Sequence, residues 1–411
     1  MNRIQTFNKL KERLSVGAFE RIERERIERE LIERERIESD IDGIVDSFWA
    51  THDNHSVMQP TVDLKELCAF HLSLIELVSN RIRAEYSSIN EALLRAHLSA
   101  RDVLDNDKVA NGKMADGIVL FSAAKTYYLI GDIHSDYASL KRVFKTTAFF
   151  ETMNDDNPSH LIFMGDYVDR GKNHLKTMEY LLIMKSLFPE RITLLRGNHD
   201  GGILTESGIT SLPYRIPETD NPLDYFPRYL EALCVSNASF SNTVLPAYLN
   251  LFDTLPYIAF IKTGDKVVEC VHGGLPKPMI DSETAKAKLY THLKCLSDLT
   301  LYPELDNAAS TILQNIMWSD PQRAGEDLLL TGKRFKYSAA HFDTYSNYFH
   351  IDTLYRGHEV VEDGIRSHFG DKVFTVFSTG NSQDTYYHWV SPRIVELKPN
   401  GEKTFLPLTE D

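Results

Sequence analysis

The chain has 411 residues, 42% hydrophobic and 25% charged, with a formal net charge of −14. That length and composition suit one large globular domain plus a smaller one, and the acidic balance argues against a general nucleic-acid binder or a protein held on anionic membranes. The four cysteines, Cys68, Cys234, Cys270 and Cys295, form no CxxC pair, which points to reduced thiols in a cytosolic setting. MNRIQTFNKLKERLSVG lacks an apolar signal core, and no run approaches the roughly 18 apolar residues of a membrane span. A soluble protein is expected, without a membrane span and without nucleic acid as partner.

In chain order, residues 8–48 predict a long charged helix. IERERIE occurs at 22–28 and again at 32–38, so Ile22, Ile27, Ile32 and Ile37 stand five apart. Each step turns them about 140° around the axis, and they form no single stripe. A heptad coiled coil is excluded. Glu20–Arg24, Glu25–Arg29 and Glu30–Arg34 are acid-first pairs that support a solvated helix, so a mostly exposed arm is expected, with partner binding as the sharper alternative. Asp63 and Glu66 have capping-box spacing. A second helix is predicted from about 64 to 104, with Leu64, Leu67, Leu74, Val78, Ile82, Ile89, Leu93 and Ala96 on one face. Residues 1–110 thus read as a helical hairpin or arm ahead of a different domain at 111–411.

From about 115 the pattern alternates. TYYLIGD is a strand, 136–147 a helix, HLIFMGD a strand, 174–187 a helix and RITLLRGN a strand, which is βαβ texture. DKVVECVHGG, DTLYRGHE and DKVFTVFSTG are further β-rich runs ending in polar residues. An α/β sandwich over about 115–405 is expected.

Ligands of α/β sheets collect beyond the carboxyl ends of the strands. Five strands finish there in a polar payload: Asp132 and His134; Asp166, Asp169 and Arg170; Asn198 and His199; His272; and His358. Carboxylate, imidazole and amide suit divalent ions such as Mn²⁺, Fe²⁺, Zn²⁺ or Mg²⁺, and no thiolate competes. A lone Gly-Asp is usually a turn and a lone HGG usually nothing. Seven-residue GDYVDRG is far more specific, and five such ends in order leave little room for coincidence.

GDIH, GDYVDRG, LLRGNHD, FDTLPYIAFI with VHGGL, IMWSDP and YRGHEVVEDG together resemble the phosphoprotein phosphatases, over about residues 126–390. The resemblance implies an α/β metallophosphatase β-sandwich flanked by helices, and hydrolysis of phosphomonoesters on phosphoproteins by a water activated between two divalent metal ions, Mn²⁺ foremost. It implies Asp132, His134 and Asp166 around the first metal, and Asp166, Asn198, His272 and His358 around the second. It also implies His199 as proton donor, Asp169 as the carboxylate orienting it, and Arg170 as a phosphate-binding arginine. Arg334 is the candidate for a second phosphate arginine, and Tyr386 or Tyr387 for a tyrosine bordering the site. No cysteine has an arginine at the Cys-x5-Arg spacing of the thiol phosphatases.

Departures from that family pattern bear on substrate choice. Ser135 and Asp136 stand where Gly-Gln is common, and Asp200 stands where glutamate is usual. GGILTESGITSLPYRIPETDNPLDYFP is expected to form an irregular loop beside the site, so phosphotyrosine joins phosphoserine and phosphothreonine as a substrate. The helical front end on a divergent core is similar in architecture to the Wip phosphatases, Legionella effectors, which implies secretion into a host cell and a host protein as substrate. Other readings are a dinucleoside polyphosphate hydrolase and a binding scaffold with an inactive site. The helical arm is expected to mediate dimerisation or partner docking.

Overall fold

A seven-stranded and a five-stranded sheet share one hydrophobic core in this computed structural model of the protein. The structure describes residues 3–15, 25–50, 64–86, 98–105, 113–115, 117–122, 124–153, 155–205, 208–210, 226, 229–230, 243–276, 279–280, 287–288, 296, 299, 315–323, 335–383 and 385–409. The main helices are α1 (Arg3–Ser15), α2 (Glu25–Ala50), α3 (Leu64–Tyr86), α4 (Ala100–Leu104), α5 (Tyr137–Thr146), α6 (His174–Leu187), α7 (Leu245–Thr254) and α8 (Ala339–Phe349). The sheet strands are β1 (Lys113–Ala115), β2 (Ile118–Phe121), β3 (Tyr127–Ile130), β4 (His160–Phe163), β5 (Ile192–Leu194), β6 (Ile258–Thr263), β7 (Lys266–Val271), β8 (Thr353–Arg356), β9 (Ile365–His368), β10 (Val373–Val376), β11 (Arg393–Leu397) and β12 (Lys403–Pro407). The larger sheet runs β1-β2-β6-β7-β8-β10-β9 and the smaller β12-β11-β3-β4-β5.

Period-two alternation builds the layers. Val119, Phe121, Ala259, Ile261, Val268 and Cys270 join the central cluster, while their neighbours Ile118, Leu120, Ile258, Phe260 and Val267 face a second cluster under α4 and α8. Phe121 meets Tyr127 and His160 across the two sheets, at ring centroids 5.6 Å and 4.8 Å apart. Strands β3, β4 and β5 are mutually parallel through the α5 and α6 crossovers, and β8 is parallel to β7 and β10. The carboxyl ends that carry the polar payloads are therefore brought together.

Helix α6 is buried on nearly every face, from Leu175 to Lys185. Such a helix needs cover on both sides, and the N-terminal helices supply it. Helix α2 packs on α1 and α6, and α3 packs on α6 and α7. Ile37, Ile41, Ile44, Val45, Phe48 and Trp49 are buried, as are Leu67, Phe70, Leu74, Val78 and Ile82, all in the central cluster. The expectation of a mostly exposed arm is thus corrected for the described residues. Asp46 pairs with Lys176 at 2.8 Å, and Asp42 pairs with Lys141, so the acidic side of α2 faces lysines of α5 and α6.

Residues 16–24, Asp63, Ile89, Leu93 and Ala96 lie outside the described residues. The single helix expected over 64–104 is also corrected. Ser99 starts a separate helix, its Oγ accepting from the Asp102 N–H while the Asp102 carboxylate accepts from the Ser99 N–H. The segment after Asp200, expected as an irregular loop, begins with an antiparallel pair, 203–205 on 208–210, while residues 211–225 of it lie outside the described residues.

One buried acid carries a stability prediction. Glu269 of β7 points into the second cluster, where the Tyr345 hydroxyl donates to it at 3.1 Å and its Oε2 has no hydrogen-bond partner. Burial pushes this carboxyl up to about 8. Between the ordinary glutamate range and that value the folded chain keeps a proton that the unfolded chain has released, so stability falls as pH rises through the window. Glu269→Gln is expected to leave the Tm nearly unchanged at pH 5 and to stabilise by on the order of a few kcal/mol at pH 8.5. Thermal melts at the two pH values check this; equal differences at both would contradict it.

Candidate active site

Tight backbone contacts between strand ends place the side chains. A Cβ on Gly197 would collide with the Asp166 carboxylate, and one on Gly165 would collide with the Gly197 backbone, so the glycines of the GD and GN motifs allow these two turns to touch. The Ile133 and His134 N–H groups both donate to the Asp166 carbonyl, at 3.0 and 2.9 Å. His134, Asp166, Asp169, Arg170 and His358 adopt positive φ (46°, 58°, 70°, 63° and 70°). Left-handed backbone at non-glycine residues is costly and gathers where function constrains it.

Asp132, His134, Asp166, Asp169, Arg170, Asn198, His199, His272 and His358 are brought to one edge of the sandwich. His134 donates from Nδ1 to the Val168 carbonyl, and His272 from Nδ1 to the Met164 carbonyl, each at 2.9 Å. A carbonyl only accepts, so both rings present an unprotonated Nε2 when neutral. His134 Nε2 lies 3.5 Å from Asp132 Oδ2 and 3.7 Å from Asp166 Oδ2; His272 Nε2 lies 3.2 Å from that same Asp166 oxygen. Asn198 Oδ1 lies 2.7 Å from His272 Nε2 and 2.8 Å from His358 Nδ1.

Two donor groups share Asp166: one with His134 and His199, the other with His272 and His358. Atoms bound at about 2.1 Å to one ion lie roughly 3.0–3.4 Å apart, close to the separations here. Asp132 Oδ2 is buried without a hydrogen-bond partner. Burial pushes Asp166 up, yet His272, His199 and His134 hold its carboxyl well below the usual range. For His272, burial opposes the charge, but Asp166 and Asp132 raise the ring above its ordinary value. A buried carboxylate that gathers imidazoles, Asp166, beside a second one with a partnerless oxygen, Asp132, fits divalent cations.

At the rim, His199 Nδ1 meets Asp169 Oδ2 at 2.5 Å, and its Nε2 faces Asp166 Oδ2 at 4.0 Å. Burial and the nearby Arg170 depress the His199 pKa, while Asp166 opposes them. The other Asp169 oxygen accepts from the Phe226 N–H at 2.6 Å. The Tyr387 ring lies 5.7 Å from the His134 ring and so borders the site, whereas Tyr386 is 67% exposed. Arg334 lies outside the described residues.

Three residues with work at this edge are missing from the expected set. Asp200 accepts from the N–H groups of Asp166 (2.7 Å), Tyr167 (2.9 Å) and Gly197 (2.9 Å), clamping the two turns together. Asp136 caps α5 through the Ser139 N–H and also accepts from the Thr379 hydroxyl, so it ties α5 to the segment leading to Tyr387. Arg356, fully buried, donates to the Gly273 carbonyl, Asp320 and Glu359. Its signal was a charge at the last position of a β-rich run, TLYR.

Residues 125–362 match the family described as Calcineurin-like phosphoesterase (Metallophos). The chain belongs to this family. Among similar proteins, the serine/threonine-protein phosphatase 6 catalytic subunit of Caenorhabditis elegans is 30% identical over 62% of this chain and 64% of its own length. Serine/threonine-protein phosphatase SIT4 of Candida albicans is 28% identical over 61% of this chain and 68% of its own. A further C. elegans serine/threonine-protein phosphatase is 27% identical, and the match spans only about half (48%) of its length. A serine/threonine phosphatase structure from Saccharomyces cerevisiae, similar to human PP5, superposes with a TM-score of 0.55 at 15% identity, over 84% of this chain and 91% of that one. The likeness shows the same fold. These relatives are named serine/threonine-protein phosphatases, and the matched domain of this chain is that of a calcineurin-like metallophosphoesterase. No helix among the described residues is long and apolar enough to cross a membrane.

Proposed function

We propose that the whole protein removes phosphate from phosphoproteins with two divalent ions, Mn²⁺ foremost, with Fe, Zn and Mg as alternatives. The observation that carries the reading is the ring of donor atoms around Asp166 with the His199–Asp169 pair at its rim. Asp132, His134 and Asp166 would hold one ion; Asp166, Asn198, His272 and His358 the other. When bound, the ions supply Lewis acidity and a water of lowered pKa beside the phosphorus. Arg170 would hold the phosphate, with Arg334 the further candidate. Asp169 orients His199 and favours its imidazolium, which the arriving phosphate dianion favours too, and His199 gives its proton to the leaving oxygen.

The helical region ahead of a divergent core supports a Wip-type effector secreted into a host cell, whose substrate is a host phosphoprotein. With its inner faces buried, that region would dock a partner or a second copy through its outer faces. Light scattering that gives a monomer mass at every concentration would rule out the second copy.

Matched phosphotyrosine, phosphoserine and phosphothreonine peptides with Mn²⁺ test the activity, with Asp132→Asn as the blank. Turnover of phosphoserine or phosphothreonine is expected, and phosphotyrosine in addition if the segment after Asp200 deepens the pocket. Silence on all three peptides with metal bound would overturn the reading.

A further inference from the structure

Arg3, His71, Glu179 and Tyr248 form a buried polar cluster where α1 and α3 meet α6 and α7. The Arg3 guanidinium donates to Glu179 Oε1 at 2.7 Å and lies 3.4 Å from the Phe48 ring centroid. His71 Nε2 meets Glu179 Oε2 at 3.1 Å, and its Nδ1 meets the Tyr248 hydroxyl at 2.5 Å. Burying such groups costs several kcal/mol before their mutual bonds offset it. Leucines of similar volume would hold the helices together at lower cost, so the cluster fixes geometry that apolar packing would leave loose.

The contacts run on from there to the site. The Tyr248 ring meets the Phe226 ring edge-on, at 5.1 Å and 86°. The Phe226 ring also lies 5.8 Å from His174, which bonds Ser135 beside His134. The Phe226 N–H donates to Asp169 Oδ1, while Asp169 Oδ2 holds His199. The outer end of this chain of contacts, His71, comes from the N-terminal helices.

We propose that His71 is a positioning residue for the His199–Asp169 pair. It holds Tyr248, which seats Phe226, whose N–H sets the rotation of the Asp169 carboxylate and with it the His199 ring. The N-terminal helices are then a working part of the active site. This rests on the reading of His199 as the proton donor.

The test uses the full chain with Mn²⁺ and compares phosphoserine peptide, a poor leaving group, with 2,4-dinitrophenyl phosphate, which leaves without a proton. A misaligned donor slows only the first. Tyr248→Phe removes one hydroxyl and His71→Phe removes both ring contacts at similar volume; each is expected to lower kcat on the peptide by about tenfold. The loss on the dinitrophenyl ester should be under about twofold, with metal content unchanged. His71→Gln should recover part of the loss.

His199→Ala in the same assay separates the two readings. If His199→Ala slows both esters equally, the proton-donor reading itself fails. If His199→Ala is selective while Tyr248→Phe and His71→Phe slow both esters equally, or only lower the Tm, the proposal is overturned and the cluster is mere glue.

Discussion

His199→Ala is expected to lower kcat on a phosphopeptide by about 10²–10⁴-fold, the range for losing a positioned acid, while metal content stays near two ions per chain. The reason lies in which part of His199 does what. Its imidazole is engaged by Asp169, but its backbone N–H is what donates to Asp166 Oδ1, at 2.9 Å. Alanine keeps that N–H, so the shared carboxylate stays oriented. Asn198→Ala removes the oxygen that lies within 2.8 Å of both His272 and His358. That variant should lose activity and metal together. Metal analysis beside single-turnover rates distinguishes them, and equal metal loss in both would mean that His199 is a ligand.

The donor ring was legible in the sequence because each motif is local. A strand, a glycine that permits close approach, and a ligand one residue later all fall within a single heptapeptide, as in HLIFMGD. Asp200 and Arg356 were not legible as clamps. Their partners come from other turns: Asp200 takes N–H groups from Asp166 and Tyr167, and Arg356 reaches Gly273, Asp320 and Glu359. A sequence shows the charge but not the backbone that meets it. The departure at position 200 has a physical sense here, since its two oxygens already serve three N–H groups. Burial and then the Asp166 charge push the Asp200 pKa up, and the N–H groups pull it back.

The docking of the front helices was half legible. Spacing by five in the IERERIE repeat hid the apolar face, yet Ile37, Ile41, Ile44, Val45 and Phe48 follow helical periodicity, and all are buried. The apolar run LLIM in α6 was a second signal. A helix without a polar face needs another layer, and the two helices expected at the start of the chain were available to supply it. What no pattern could foretell is that His71 would reach Tyr248, 177 residues away.

Arg356→Ala is expected to cost about 3–5 kcal/mol of stability, the range for removing one partner of a buried charge pair. Arg356 is completely buried, and it donates to Asp320 at 2.9 Å and to Glu359 at 2.9 Å. Alanine would leave Asp320, itself 2% exposed, without its guanidinium. The effect should reach the site, because His358 follows two residues later and the carbonyl that Arg356 holds belongs to Gly273, next to His272. Loss of affinity for the second ion should therefore accompany the loss of stability. Arg356→Lys keeps the charge but has one nitrogen for acceptors lying in several directions, so it should recover only part of either quantity. Denaturant unfolding of Arg356→Ala, Asp320→Asn and the double variant gives the decisive comparison. Once Arg356 is gone, neutralising Asp320 removes an unpaired buried charge, so the double variant should be clearly more stable than the sum of the two single losses. Strict additivity would mean that the guanidinium fills space without pairing with Asp320.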